Sequence, residues 1–321
     1  MKVLITGANG FVGSHVTKSL LTKGFQVIGV DLNPKASPLL LENTMHNSFF
    51  EYRTLDIVND LHELDNLVSD VEIVFHFAAI VGIPNYLDNP LKLFETNVIG
   101  SWNIIQASLR HGKRLIFSST SEIYGKNSKI PWEESDDRVL GSTEKDRWGY
   151  STSKATIEHL LHGLKDTLDY RILRFFNVYG PGQNPIFLVS KNIGLAISGK
   201  NLEMYDGGDQ TRCLTYIDDV VDAVVQISLA EKVRSRVYNI GSKSELTVAE
   251  ILGHVKSHFP SIEIENIETS VSLGNSYEDL ERRVPETSRI FNEFGWHPRV
   301  TVETGVNHFV QWARNSSWWR P

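Results

Sequence analysis

The chain has 321 residues, 41% of them hydrophobic and 22% charged, a composition typical of a soluble globular protein with one large domain or a main domain and a smaller lobe. A net charge of -7 without a long basic run argues against a nucleic-acid backbone as partner, although a few placed arginines would serve one small diphosphate. The single cysteine, Cys213, excludes an intrachain disulfide and a cysteine-rich metal site, so no metal is expected.

The chain opens on an apolar run, Val3-Leu4-Ile5, that stops at Thr6-Gly7. That is too short for a signal-peptide core or a membrane span, and no later run is long enough, so the sequence reads as cytoplasmic with no membrane partner. Lys2 to Ile5 predicts a buried strand, Val12 to Lys23 a helix ended by Gly24, and Gln26 to Val30 a second strand. Further strands are predicted at Val71 to Phe77, Arg114 to Ser118 and Arg171 to Phe175, with long helices at Leu91 to His111 and Trp148 to Leu168. Strands separated by such helices imply an α/β fold, a Rossmann-type doubly wound parallel sheet. After about residue 180 the alternation breaks at Gly180-Pro181-Gly182 and Asp206-Gly207-Gly208-Asp209. Helices are predicted at 186–199, 218–231 and 247–258, and Arg236 to Ile240 returns to strand character. The expected division is a dinucleotide-binding domain over 1–178, with some later segments returning to it, and a smaller, partly interleaved substrate lobe over 179–321.

The glycines Gly7, Gly10 and Gly13 follow the first strand and open the first helix, and Asp31 ends the second strand. Glycine permits a tight turn and close approach to a pyrophosphate, which the helix N-terminus at Phe11-Val12 would meet with unpaired N–H groups. Asp31, followed by Leu32, can accept both hydroxyls of an adenine ribose and would repel a 2′-phosphate, which selects NAD over NADP. Tyr150 and Lys154 stand four apart on a predicted helix and share a face. An ammonium there would lower the phenol pKa and turn Tyr150 into a base.

The spacing Gly-x-x-Gly-x-x-Gly, with Tyr150-x-x-x-Lys154 downstream, resembles the extended short-chain dehydrogenase/reductase superfamily, whose nucleotide-sugar epimerases and dehydratases use NAD. The resemblance implies that Asp56-Ile57 brackets the adenine and that Phe77-Ala78-Ala79 runs beside the nicotinamide ribose, with Val81 beyond it touching substrate. It implies that Thr120, at the strand end carrying Ser121 and Glu122, hydrogen-bonds the sugar oxygen being oxidised. Tyr150 would remove the proton of the sugar hydroxyl at C4 while Lys154 holds the nicotinamide ribose. A simple 4-epimerase needs no further acid or base, so Glu122 suits chemistry at C5, in a 4,6-dehydratase or a uronic acid decarboxylase. The stretches 206–215 and Tyr277-Glu278-Asp279-Leu280-Glu281-Arg282-Arg283-Val284-Pro285 are similar to those of UDP-glucuronate decarboxylases. In that group the arginine matching Arg283 is the proposed acid at C5. Asn177 and Arg212 match positions that touch the donor's sugar or diphosphate, and Tyr277 falls with them. Residues 181–186 are shorter than the corresponding decarboxylase loop, so the sugar stays open.

The resemblance therefore implies a UDP-uronic acid decarboxylase yielding a UDP-pentose or its 4-keto form. A UDP-sugar 4-epimerase comes second and a 4,6-dehydratase third. Outside enzymes, an NAD-sensing regulator would use the same fold. Homodimers pairing the helices at 91–111 and 148–168 are common in the family and are expected here.

Overall fold

The computed structural model describes residues 1–44, 47–82, 88–268 and 280–319. Its centre is a seven-stranded sheet. In chain order its strands are β1 (Lys2–Thr6), β2 (Gln26–Asp31), β3 (Phe50–Thr54), β4 (Ile73–His76), β5 (Arg114–Thr120), β6 (Tyr170–Phe175) and β7 (Val237–Ile240). Across the sheet they run β7-β6-β5-β4-β1-β2-β3, and the pairs β1–β2, β2–β3, β1–β4 and β4–β5 are parallel. The helices between them are α1 (Phe11–Thr22), α2 (Pro38–Thr44), α3 (Leu61–Ser69), α4 (Pro90–Phe94), α5 (Ser101–Arg110) and α6 (Arg147–Gly163). A sheet covered on both faces explains the strand composition. Val3, Leu4 and Ile5 in β1, and Val74 and Phe75 in β4, are fully buried. Each such burial is worth about 1.5–3 kcal/mol.

Several elements differ from the sequence reading. The strand β3 was not expected, because Phe50-Glu51-Tyr52-Arg53-Thr54 forms a polar sheet edge without an apolar run. The predicted helix at 91–111 is interrupted, with a π-helical segment, Glu95–Gly100, between α4 and α5. Helix α6 ends at Gly163 rather than Leu168, and the chain turns through Leu164–Thr167.

The chain divides into two compact units. The first is Met1–Ile123, Gly149–Arg174 and Val221–Tyr238; the second is Tyr124–Trp148, Phe175–Val220 and Asn239–Pro321. A boundary at residue 178 therefore misplaces Tyr124–Trp148. That segment is held by the second unit's own bonds: Trp132 N donates to Val284 O (2.9 Å) and Asn239 Nδ2 donates to Trp132 O (2.9 Å). The Trp132 ring stacks on Tyr124, centroids 5.1 Å apart. Among the described residues, no helix is long and apolar enough to cross a membrane.

Candidate active site

The glycine turn is built by packing before any ligand is considered. Gly7 sits at φ +70°, and a Cβ there would lie 2.6 Å from Ala78 N. A Cβ on Gly13 would lie 2.2 Å from Gly7 O, so α1 can start this close to β1 only through glycine. Gly10 differs: its Cβ would meet only Gly7 O, at 3.0 Å. Gly10 is the N-cap of α1, no side chain caps it, and the first turn, which starts at Phe11 and Val12, carries no acid. That leaves a helix N-terminus suited to an anion.

Asp31 ends β2 facing this turn. Its Oδ2 accepts from Asn9 N (3.1 Å) and its Oδ1 from Asn33 N (3.3 Å), so each oxygen keeps a lone pair for a further donor. Burial pushes its carboxyl up, against the backbone amides of Asn33, Asn9 and Leu32. The Leu32 side chain itself is exposed. Asn9, which the sequence reading passed over, ties the turn together: Asn9 Nδ2 donates to Tyr52 OH (2.7 Å) and Asn9 Oδ1 accepts from Ser37 N (2.6 Å). The Asp56 carboxylate is engaged by its own loop, accepting from Val58 N (2.8 Å) and Asn59 Nδ2 (2.9 Å). The Ile57 side chain is buried in the core.

Phe77, Ala78 and Ala79 continue β4 beyond its end and are half-buried, and Val81 is exposed. Two buried side chains that the sequence reading missed fix this segment. Thr6 Oγ1 accepts from Ala78 N (3.2 Å) and bonds His76 Nδ1 (2.7 Å), whose Nε2 bonds Ser101 Oγ (2.8 Å). Burial, assisted by the Lys154 charge, pushes His76 down to about 3, so the imidazole is a neutral strut. Asn97, inside the π-helical segment, accepts from Ile80 N (2.8 Å) and donates to Ile80 O (3.2 Å) and Ser153 Oγ (3.3 Å). A π-bulge that re-aims one polar side chain is a common device near functional sites.

The end of β5 and helix α6 bring Thr120, Tyr150 and Lys154 together. Lys154 Nζ donates to Ser118 O (2.8 Å) and lies 4.9 Å from the centre of the Phe117 ring. Tyr150 is hydrogen-bonded to the Thr120 hydroxyl, which also accepts from Glu122 N (3.2 Å). Ser121 is buried at the start of the short turn, and Ser151 Oγ donates to Glu122 O (2.8 Å), pinning that turn to α6. The expected effect of Lys154 on Tyr150 is not seen. Burial, and then the Glu122 charge, push the phenol up, with Thr120 alone opposing. Burial pushes Lys154 itself down to about 7, against the pull of Glu158. The spacing put both groups on one face but could not foresee full burial, which disfavours both charged forms.

Within the second unit, Asn177 takes a positive φ of +26°, and its Nδ2 is buried without a hydrogen-bond partner among the described residues. Such an orphan amide suits a ligand acceptor. Arg212 Nη1 donates to the carbonyls of Thr211 (2.7 Å) and Leu280 (3.0 Å). Arg283 is buried, next to the Val284–Trp132 backbone bond. Tyr277 lies outside the described residues.

Residues 3–241 match the NAD dependent epimerase/dehydratase family. The chain belongs to that family. A UDP-N-acetyl-alpha-D-glucosaminuronate decarboxylase of Bacillus cytotoxicus is 35% identical to this epimerase/dehydratase chain, over 98% of each. UDP-glucuronic acid decarboxylase 1 of Danio rerio is 31% identical, over 97% of this chain and 72% of the relative. Among solved structures, UDP-glucuronic acid 4-epimerase from Bacillus cereus, in complex with UDP-glucuronic acid and NAD, has a TM-score of 0.86 at 27% identity, covering 98% of this chain and 99% of that one.

The family's cofactor, NAD, fits this site. The uncapped N-terminus of α1 leaves the N–H groups after Gly10 for a diphosphate, the side of Gly10 that a Cβ would occupy meets little, and Asp31 keeps lone pairs for ribose hydroxyls.

Proposed function

We propose that the chain decarboxylates a UDP-linked uronic acid after oxidising it at C4. The observation that carries this reading is the position of Glu122. Its charge opposes ionisation of Tyr150 and so works against C4 oxidation. A carboxylate kept beside the base at that cost serves a later step, and a simple 4-epimerase has none at C5.

The residues divide the work as follows. Tyr150 takes the proton of the C4 hydroxyl, through or beside the Thr120 hydroxyl that orients it. When bound, NAD accepts the hydride from C4. The ketone at C4 makes the C5 carboxylate a β-keto acid. Its C–C bond breaks, CO2 leaves, and the electron pair is held as the enolate across C4 and C5. Glu122 crowds the departing carboxylate with like charge, and Arg283 returns a proton to C5. Asn177 and Arg212 would hold the sugar and diphosphate. The two decarboxylases named above act, by name, on UDP-linked uronic acids, which supports this reading.

Incubation with UDP-glucuronate and, separately, with UDP-N-acetylglucosaminuronate, followed by mass analysis of the nucleotide product, tests it. Loss of CO2 from either is the expected result. Unchanged mass with inverted C4 is the outcome that overturns it in favour of a 4-epimerase, the reading favoured by the Bacillus cereus structure. Loss of water would point to a dehydratase. Glu122→Gln is expected to slow CO2 release about ten- to a hundredfold while leaving NAD binding intact. Equal rates in variant and parent would remove Glu122 from the mechanism.

We further propose that the protein works in the cytoplasm as a homodimer. The helical stretch α4–α5 exposes Leu91 (77%), Phe94 (43%), Ile99 (49%) and Trp102 (48%). An apolar stripe of this kind on one helical stretch suits pairing with a second copy. Light scattering of Trp102→Asp should read half the mass of the parent. A parent that is already monomeric would sink the proposal.

A further inference from the structure

A buried carboxylate sits one helical turn beyond Lys154. Glu158, on the same face of α6, accepts from Ser119 Oγ at Oε1 (2.5 Å) and from Arg174 through Nε at Oε1 (3.1 Å) and Nη2 at Oε2 (2.6 Å). Both Glu158 and Arg174 are more than nine-tenths buried. Ser119 lies in β5 between Ser118, whose carbonyl receives Lys154, and Thr120, whose hydroxyl is hydrogen-bonded to Tyr150. One carboxylate therefore grips the strand at the residue between the two anchors of the Tyr150–Lys154 pair.

A buried ion pair gains little net stability over an apolar pair of the same shape, so its placement calls for another reason. The groups facing Lys154 supply one. From β4 comes His76, a neutral imidazole. From β5 come the Ser118 carbonyl and the Phe117 ring. From α6 come the Tyr150 phenol and Glu158, and from β6 comes Arg174, whose charge Glu158 neutralises. Glu122 lies on the far side, against Tyr150. Of these, Glu158 is the anion that opposes the desolvation of the Lys154 ammonium.

We propose that Glu158 is the positioning residue that keeps Lys154 protonated, with Ser119 fixing its register on β5 and Arg174 setting how much of its charge Lys154 feels. This rests on Tyr150 and Lys154 being the working pair.

The sign of the effect separates this role from a structural one. Loss of the Glu158 charge lets Lys154 deprotonate earlier, so Glu158→Gln should move the alkaline limb of kcat/KM toward acid. Loss of the Arg174 charge leaves Glu158 uncompensated, so Arg174→Gln should move the same limb toward alkali. A buried charge one helical turn away corresponds to a limb shift of about one to two pH units. Ser119→Ala keeps the charge and should lower kcat with the limb unmoved. The limb is read with whichever UDP-uronic acid the parent turns over. Titration of the Lys154 side chain by carbon NMR in 13C-lysine-labelled protein reads the same shift without substrate. Opposite displacements in the two variants are the expected result. Displacements in one direction, or none with only lower thermal stability, overturn the inference. If Tyr150→Phe still turns over, the reading of the working pair fails instead, and the NMR titration alone then decides whether Glu158 holds the lysine.

Discussion

Tyr150→Phe is expected to lower kcat by about 10²–10⁴-fold or more while NAD stays bound. The substitution removes only the hydroxyl that Thr120 holds, and the ring remains in its buried place. Nothing in the glycine turn or around Asp31 depends on that oxygen, so cofactor affinity measured by fluorescence quenching should match the parent. The pairing of the two readouts makes the test informative. Loss of both would mean that the phenol is a packing element, and retention of turnover would mean that another group takes the C4 proton. Because burial and Glu122 both push the phenol up, turnover should rise with pH on the acid side and fall as Lys154 loses its proton, near 7 in the free protein.

Gly13→Ala and Gly10→Ala should part company. The Cβ of the first would stand 2.2 Å from a backbone oxygen of Gly7, where no side chain can yield. Overpacking of this kind costs about 3 kcal/mol, which for a chain of this size lowers Tm by roughly 4–5 °C. The turn shifts with it, and NAD binding goes. In Gly10→Ala the new methyl meets only Gly7 O at 3.0 Å, a tight contact that a small shift relieves, so Tm should fall less than in Gly13→Ala while NAD affinity falls, because the methyl stands at the helix N-terminus that would meet the diphosphate. Thermal melts with and without NAD separate the cases. A Gly13→Ala protein that melts and binds like the parent would show that the turn is looser than its packing implies.

The central strands were legible because parallel strands covered on both faces need continuous apolar runs, as in Val3-Leu4-Ile5 and Ile73-Val74-Phe75. The edge strand β3 was not, because Phe50 and Tyr52 alternate with the exposed Glu51 and Arg53 over too few residues to make an apolar run. The pairing of Tyr150 with Lys154 on one helix was legible for a different reason: it is set by helical spacing, which is local. Asn97, His76 and Glu158 were not. Their partners, Ile80, Thr6 and Arg174, lie 17, 70 and 16 residues away, and a lone polar residue in a helix or strand looks like any solvated one until the chain folds. The direction of the Tyr150 shift was missed on the same ground. Sequence spacing fixes which groups are neighbours, and burial decides what proximity does to them.

The interleaving of the two units constrains how such a chain can be altered. Each unit gathers three separated segments, so no single crossover exchanges one unit for that of a relative. Altering the second unit alone therefore takes changes within Tyr124–Trp148, Phe175–Val220 and Asn239–Pro321, one segment at a time.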